Sequence, residues 1–192
     1  MESRDGSGSR DAIVNGYRAL AAAGMMHGSS GNVSVRTADG MLITPSGIDA
    51  VRLAAGTLVE MSLDGDVQGA GLPSSEWRMH AAIYRRFPQA GAIVHTHADA
   101  CVALACLRSD LPAFHYMVAG FGGDDVRCAA YAPFGSARLA ELAADAMERR
   151  SALRCPRPCR PTSARARRIS VCTEYQFSRW KKCVPRRKTW AS

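Results

Sequence analysis

A change of composition near Ala152 limits how much of this 192-residue chain can form a packed domain. Up to that point apolar residues recur with helix and strand periods, and beyond it the pattern is lost. Residues 154–161 contain three prolines, and proline is excluded from helix interiors and central strands. We therefore predict one domain over residues 1–152 and a basic, Pro/Arg/Cys-rich, disordered tail over residues 153–192.

The net charge of +8 belongs to that tail. Residues 151–192 hold 12 of the 25 Lys and Arg but only one of the 17 acidic residues, so residues 1–150 carry a net −3. A run of like charge is usually a solvated segment, so we expect neither nucleic acid nor a membrane as a partner. The N-terminus is polar and lacks the apolar stretch of a signal peptide, which favours a cytoplasmic location.

Helix-like and strand-like segments alternate through the domain. Predicted helices cover residues 9–23, 74–87, 98–107 and 136–149. Predicted strands cover residues 57–62, 92–95 and 116–119, together with a hairpin of residues 33–36 and 41–44. The alternation indicates an α/β fold in α/β/α layers, with helices covering a sheet.

Two histidines end a short apolar strand. Residues i and i+2 of a strand point to the same face, so His95 and His97 can reach one metal ion. Imidazole is a common zinc ligand. The pattern alone is weak, because two structurally satisfied histidines at a strand end would look the same.

Three segments combine hydroxyl groups with features that suit an anion. Ser74, Ser75 and Glu76 open a predicted helix, whose N-terminus presents free N–H groups, although either serine could simply cap the helix. Residues 29–32 and 44–47 pair serine or threonine with glycine, which lets backbone N–H groups approach a ligand closely. Each loop taken alone is equally well explained as a tight turn.

These segments follow one another in an order that closely resembles the class II aldolase/adducin family. The motifs that carry the resemblance are residues 29–36, 43–48, 73–80, 93–97, 112–117 and 122–135. Within the family the later segments look most like the aldolases that cleave fuculose 1-phosphate. The resemblance covers about residues 11–152 and implies a central mixed or antiparallel sheet flanked by helices, lacking the family's C-terminal part.

The resemblance also implies an activity. A ketose 1-phosphate would be cleaved to dihydroxyacetone phosphate and an aldehyde, with Zn²⁺ or another divalent metal as cofactor. Its phosphate would lie against Gly31, Asn32, Ser46, Gly47, Ser74 and Ser75. His95, His97 and, in the resting state, Glu76 would bind the metal.

The catalytic roles in the family fall on two residues of this chain. Glu76 would act as general base and acid once substrate displaces it from the metal. Tyr116 would protonate the aldehyde oxygen from a neighbouring subunit of a homotetramer. His80, one helical turn after Glu76 and on the same face, could support the site residues by a hydrogen bond or simply pack in the core, and we expect packing.

The third zinc histidine of the family would align with Pro158, and no histidine follows His115 in this chain. We therefore expect weakened metal binding. Cys155 or Cys159 could supply a thiolate instead, but no spacing argument supports this. The abrupt onset of the tail suggests a translated frameshift or an alternative end.

Three alternatives stay open. A pentulose-phosphate epimerase or a methylthioribulose-phosphate dehydratase would use the same metal and phosphate groups on the same fold. A non-catalytic, adducin-like interaction module would keep the fold without the chemistry, although retention of Glu76, His95, His97 and Tyr116 favours catalysis.

Overall fold

The computed structural model describes residues 6–106, 110–155 and 170–174, and these form four helices around one sheet. The helices are α1 (Gly6–Ala22), α2 (Trp77–Arg86), α3 (Asp99–Cys106) and α4 (Ala137–Ala146). The strands are β1 (Asn32–Arg36), β2 (Met41–Ile43), β3 (Val59–Met61), β4 (Val67–Gln68), β5 (Ala92–Thr96), β6 (Leu111–Pro112), β7 (Asp125–Cys128), β8 (Ala152–Cys155) and β9 (Ser170–Glu174).

The strands join in the order β4-β3-β2-β1-β5-β9-β8-β7-β6. Every neighbouring pair is antiparallel except β7 and β8, which run parallel. Strand β5 therefore lies in the interior of the sheet, between β1 and β9. All five of its residues are buried, which agrees with the apolar character that predicted it.

Helices cover both faces of the sheet, so the predicted α/β/α layers are confirmed. Ile93 of β5 packs in one core with Ile83 of α2 and Ala143 of α4. Its neighbour Val94 points to the opposite face and packs in a second core with Tyr17 of α1. Within the described ranges, no helix is both long and apolar enough to cross a membrane.

The predicted hairpin is confirmed, with Ser34 opposite Ile43 and Arg36 opposite Met41. The strand predicted at residues 116–119 is wrong, because Tyr116–Phe121 form a 3₁₀ helix. The His115 side chain caps this turn by accepting from the Met117 N–H, and Gly122 ends it at a φ of 94°. The prediction missed these local signals, since capping side chains and left-handed glycines favour turns over strands.

The structure also differs from the predicted disordered tail at two places. Strand β8 includes Arg154 and Cys155, so these residues lie inside the sheet and the prediction that excluded a central strand there is wrong. Proline disfavours helix in the residue before it and allows extended backbone, so Pro156 is compatible with a strand that ends at Cys155. Strand β9 adds a second paired segment within the tail. The other residues predicted to be disordered, including Pro158 and Cys159, lie outside the described residues.

Candidate functional site

A cavity of about 160 Å³ lies where the predicted anion-binding loops converge. All six residues proposed to bind phosphate line it: Gly31, Asn32, Ser46, Gly47, Ser74 and Ser75. Glu76 and His97 line the same cavity, together with Ser29, Ser30, Pro45 and Phe134. The structure thus brings together three segments that are far apart in sequence.

Glycine and main-chain pairing explain the shape of these loops. Gly31 has a φ of 80° and Gly47 a φ of 70°, values that side-chain-bearing residues rarely adopt. A Cβ atom at Gly31 would lie 2.8 Å from the backbone oxygen of His95, so only glycine fits beside β5. The N–H of Ser74 donates to the Thr44 carbonyl, which ties two of the loops together.

The donors offered by the cavity are uncharged. Serine hydroxyls and loop backbone surround it, and no lysine or arginine is among its described lining residues. It also lies at the start of helix α2, whose dipole is positive at that end. An anion in the cavity would therefore be bound by hydroxyl and N–H groups rather than by a salt bridge.

The predicted metal ligands lie close together at the wall of the cavity. His95 ends β5 and His97 follows it, with the two ring centroids 4.9 Å apart. Oε2 of Glu76 lies 2.5 Å from Nδ1 of His95. All three residues are buried: Glu76 is 5% exposed, His95 is 1% exposed and His97 is 5% exposed.

This donor set suits a divalent metal, but only in part. Nε2 of His95 has no hydrogen-bond partner among the described residues, whereas its Nδ1 faces the Glu76 carboxylate. A buried imidazole is normally hydrogen-bonded or ligates a metal, so His95 fits a ligand. However, no three His, Cys, Asp or Glu side chains within the described ranges are already arranged to hold a metal ion.

Cys155 does not replace the third histidine in this arrangement. It lies on β8, and β9 separates that strand from β5. Burial raises the pKa of its thiol, and the nearby Glu76 and Cys128 raise it further. In the metal-free chain the thiol is therefore protonated at neutral pH.

The structure does not bring Tyr116 to the cavity of its own chain. Its side chain is 82% exposed and lies against a separate hollow with Phe114, His115 and Asp124. The His115 and Tyr116 ring centroids are 4.4 Å apart.

Sequence reasoning missed the role of His80, which is not simply packed. Its Nε2 lies 2.6 Å from Oδ1 of Asn32, and its Nδ1 lies 2.6 Å from Oγ of Ser34. Ser34 Oγ is in turn 2.9 Å from the Tyr84 hydroxyl. Burial lowers the pKa of His80 to about 3, and the charge of His95 lowers it while Glu76 opposes the shift.

A signal for this contact was present in the sequence. Asn32 and Ser34 are polar residues at alternate positions of a buried strand, so they share a face. His80 and Tyr84 are four residues apart on α2 and also share a face. Phe134, which lines the cavity from a distant loop, has no comparable signal.

A mixed α/β sheet with two imidazoles and a carboxylate beside a hydroxyl-lined cavity defines the class of protein. Residues 11–156 match the family model for the class II aldolase and adducin N-terminal domain, so the chain belongs to that family. The resemblance found in the sequence is thereby confirmed.

Two curated relatives illustrate the similarity. A 5-methylthioribulose-1-phosphate/5-deoxyribulose-1-phosphate aldolase of Rhodospirillum rubrum is 47% identical over 143 residues, which cover 74% of this chain and 65% of the relative. An L-fuculose phosphate aldolase of Escherichia coli is 46% identical over 129 residues, which cover 67% of this chain and 60% of the relative. The chain thus spans less than two thirds of the length of either relative.

Solved structures agree with the fold. An L-fuculose 1-phosphate aldolase superposes with a TM-score of 0.80 at 35% identity, covering 96% of this chain and 82% of the other. An L-fuculose-1-phosphate aldolase from Thermus thermophilus gives a TM-score of 0.69 at 26% identity, covering 88% and 83%. The class II aldolase fold of this chain is therefore shown.

Proposed function

We propose that this chain is a metal-dependent class II aldolase-type lyase that cleaves a ketose 1-phosphate to dihydroxyacetone phosphate and an aldehyde. The observation that carries the proposal is the single cavity lined both by the six candidate phosphate-binding residues and by Glu76 and His97. This arrangement places a phosphate subsite directly beside a carboxylate that can move a proton. It supports chemistry on a small phosphorylated molecule rather than an interaction surface alone.

The proposed reaction breaks the carbon–carbon bond one carbon beyond the ketone. The proton leaves the hydroxyl that becomes the aldehyde, and the bonding electrons pass to the ketone half as an enediolate. Glu76, which takes up a proton from solvent, then delivers it to the carbon that lost the bond, and this gives dihydroxyacetone phosphate.

His95, His97 and Glu76 would hold the divalent metal, which when bound supplies Lewis-acid stabilisation of the negative charge that develops on the substrate oxygens. One imidazole fewer than in the family pattern should weaken metal binding, because even changes next to a ligand cost roughly 10–100-fold in affinity. We expect substoichiometric zinc after dialysis of the purified protein. One tightly bound zinc per chain by elemental analysis would contradict this expectation.

Tyr116 would act on the aldehyde half from a second copy of the chain in a homotetramer. Tyr116 is exposed and is not among the described residues that line the cavity of its own chain, and Phe114 and Met117 beside it are exposed as well. These features support a role for Tyr116 in the site of a second chain. Exposed apolar side chains of this kind are typical of surfaces covered in an assembly. During cleavage Tyr116 would accept the hydroxyl proton while it releases its own phenolic proton to solvent, and in the reverse direction it would donate its proton to the aldehyde oxygen.

A coupled assay for dihydroxyacetone phosphate tests the activity directly. The substrates are L-fuculose 1-phosphate, 5-deoxyribulose 1-phosphate and 5-methylthioribulose 1-phosphate, with and without added Zn²⁺. We expect release from at least one substrate, only with added metal, and a loss of at least about 100-fold in Glu76→Gln. Glu141→Gln, at an exposed position of α4, is the matched control and should leave the rate unchanged. Metal-dependent epimerisation or dehydration without dihydroxyacetone phosphate would replace this proposal.

Mixing two inactive variants tests the shared site. Glu76→Gln and Tyr116→Phe subunits, unfolded and refolded together, should regain part of the activity because some sites would combine intact residues from two chains. No recovery in mixed oligomers would show that Tyr116 serves its own chain or does not take part.

A further inference from the structure

A buried row of side chains connects α2 to the edge of the cavity. It runs from the Tyr84 hydroxyl through Ser34 and the His80 imidazole to the side-chain amide of Asn32. Ser34 and His80 are 0% exposed, and Tyr84 is 1% exposed. Asn32 is the member of the row that lines the cavity.

With Oδ1 of Asn32 facing Nε2 of His80, the row has one direction of donation. Oδ1 of Asn32 can only accept, so Nε2 of His80 carries the hydrogen. In the neutral ring Nδ1 then accepts, so the Ser34 hydroxyl donates to it. Since Ser34 has donated its own hydrogen, the Tyr84 hydroxyl donates to Ser34. The tautomer of His80 and the orientation of the Asn32 amide are therefore coupled through this row.

We propose that His80 is a positioning residue that fixes the Asn32 amide so that its amino group, rather than its oxygen, faces the phosphate of the substrate. This inference rests on the proposed function, which places phosphate in the cavity. An amide rotated by 180° would present an oxygen acceptor to an anion and repel it. The donor must therefore be held in place, because the cavity lining described here has no lysine or arginine to compensate.

The position of Asn32 makes its orientation important. It lies directly opposite His95 in the β1–β5 pairing, and neighbours opposite one another across strands are on the same face. The amide thus stands between the loops that line the cavity and the candidate metal ligands. A rotated Asn32 amide would weaken phosphate binding even if the other cavity-lining residues and the candidate metal ligands kept their positions.

Packing alone would account for a buried histidine but would predict different results. A space-filling role requires only the volume of the ring, so phenylalanine would preserve it. A positioning role requires the hydrogen on Nε2, and its effect on phosphate must act through Asn32. A double-mutant cycle separates the two roles, because groups that act as a unit are not additive.

The test measures the affinity of the full chain for inorganic phosphate by titration calorimetry. The variants are Asn32→Ala, His80→Phe, His80→Gln and the double variant Asn32→Ala/His80→Phe. We expect His80→Phe to weaken binding by about 10–100-fold, as expected for residues that orient a binding group. The double variant should bind no more weakly than Asn32→Ala alone, and His80→Gln should restore part of the affinity because its amide can donate. Ile83→Val, a buried change on the same helix, should leave affinity unchanged.

Nuclear magnetic resonance provides a readout that does not depend on binding. In ¹⁵N-labelled protein, we expect the His80 ring nitrogens to report hydrogen on Nε2 and none on Nδ1. The Asn32 side-chain amide signal should shift in His80→Phe and stay in place in Ile83→Val. Hydrogen on Nδ1, an unmoved amide or additive losses in the cycle would overturn the inference. Failure of the wild-type chain to bind phosphate would instead overturn the proposed function, and the ring and amide signals would still decide the role of His80.

Discussion

The two neighbours of β5 contribute to the site in different ways. On one side, β1 brings side chains: Asn32 reaches the cavity and Ser34 joins the buried row to α2. On the other side, β9 contributes main-chain pairing, with its residues opposite Ile93 to Thr96. All the cavity-lining residues except Phe134 come from residues 29–97. Among the described side chains, those that line the cavity lie mainly in the part of the sheet around β1, and what the structure describes of β9 is its main-chain pairing with β5.

This division gives the two regions different sensitivities. Changes near β1 and α2 should alter ligand binding at a moderate cost in stability. Changes in β8 or β9 should alter stability first and binding only through the movement of β5.

Proline at Thr173 should have the largest effect. Thr173 pairs with Val94 of β5 and with Ala152 of β8, so its strand has a neighbour on both sides. Thr173→Pro removes an N–H from this interior ladder and should reduce the free energy of unfolding by about 3 kcal/mol or more. Urea unfolding of the full chain measures the loss. Thr173→Ala keeps the N–H and is the control, and equal midpoints for the two variants would show that β9 does not support β5.

In the region of β1 and α2, the dependence of stability on acid pH should come from His80. Its folded pKa of about 3 lies below the usual value of 6.5, so between these values the unfolded chain binds a proton that the folded chain does not. Stability from the neutral ring is therefore complete above pH 6.5 and is lost as the pH falls toward 3. The slope amounts to at most about 1.4 kcal/mol per pH unit.

His80→Phe removes this titration. The free energy of unfolding of the variant, measured by urea at several pH values, should fall less steeply than that of the wild type between pH 6.5 and pH 4. Parallel pH profiles would mean that His80 is protonated in the folded protein or solvated in it.

Alanine at Gly31 should have the smallest effect on stability and a clear effect on binding. Its positive φ costs a side-chain-bearing residue roughly 1–2 kcal/mol, and its Cβ would press on the His95 carbonyl. We expect a loss of that order in thermal unfolding, with weaker phosphate binding. Gly56→Ala is the control, because no atom lies within 4 Å of its Cβ. If Gly31→Ala and Gly56→Ala bound phosphate with equal affinity, Gly31 would not be part of the phosphate-binding site.

The predictability of the fold follows the same division. The hairpin, β5 and α2 have strong local patterns, namely alternation, a buried apolar run and an amphipathic helix, so local sequence predicted them. Strands β8 and β9 depend on pairing between distant segments. The prolines that follow β8 in the sequence and the basic residues near both strands suggested disorder, and no local rule predicts which strand they join.

The site shows a related limit. The cavity residues were predicted because several motifs in order resemble a known family, whereas each motif alone had a structural explanation. The cooperation of His80 with Asn32 was missed because it joins a strand to a helix 48 residues apart. The placement of Tyr116 outside the cavity likewise depends on a 3₁₀ turn that periodicity did not indicate.

We have proposed that Glu76, His95 and His97 form a metal site beside a phosphate-binding cavity. The most direct measurement is a crystal structure of the full chain with added zinc and inorganic phosphate, using anomalous scattering at the zinc edge. We predict a zinc peak in contact with both imidazoles, and a phosphate bound among Ser46, Gly47 and Ser75. Zinc bound only elsewhere, or phosphate absent from the cavity at millimolar concentration, would contradict it.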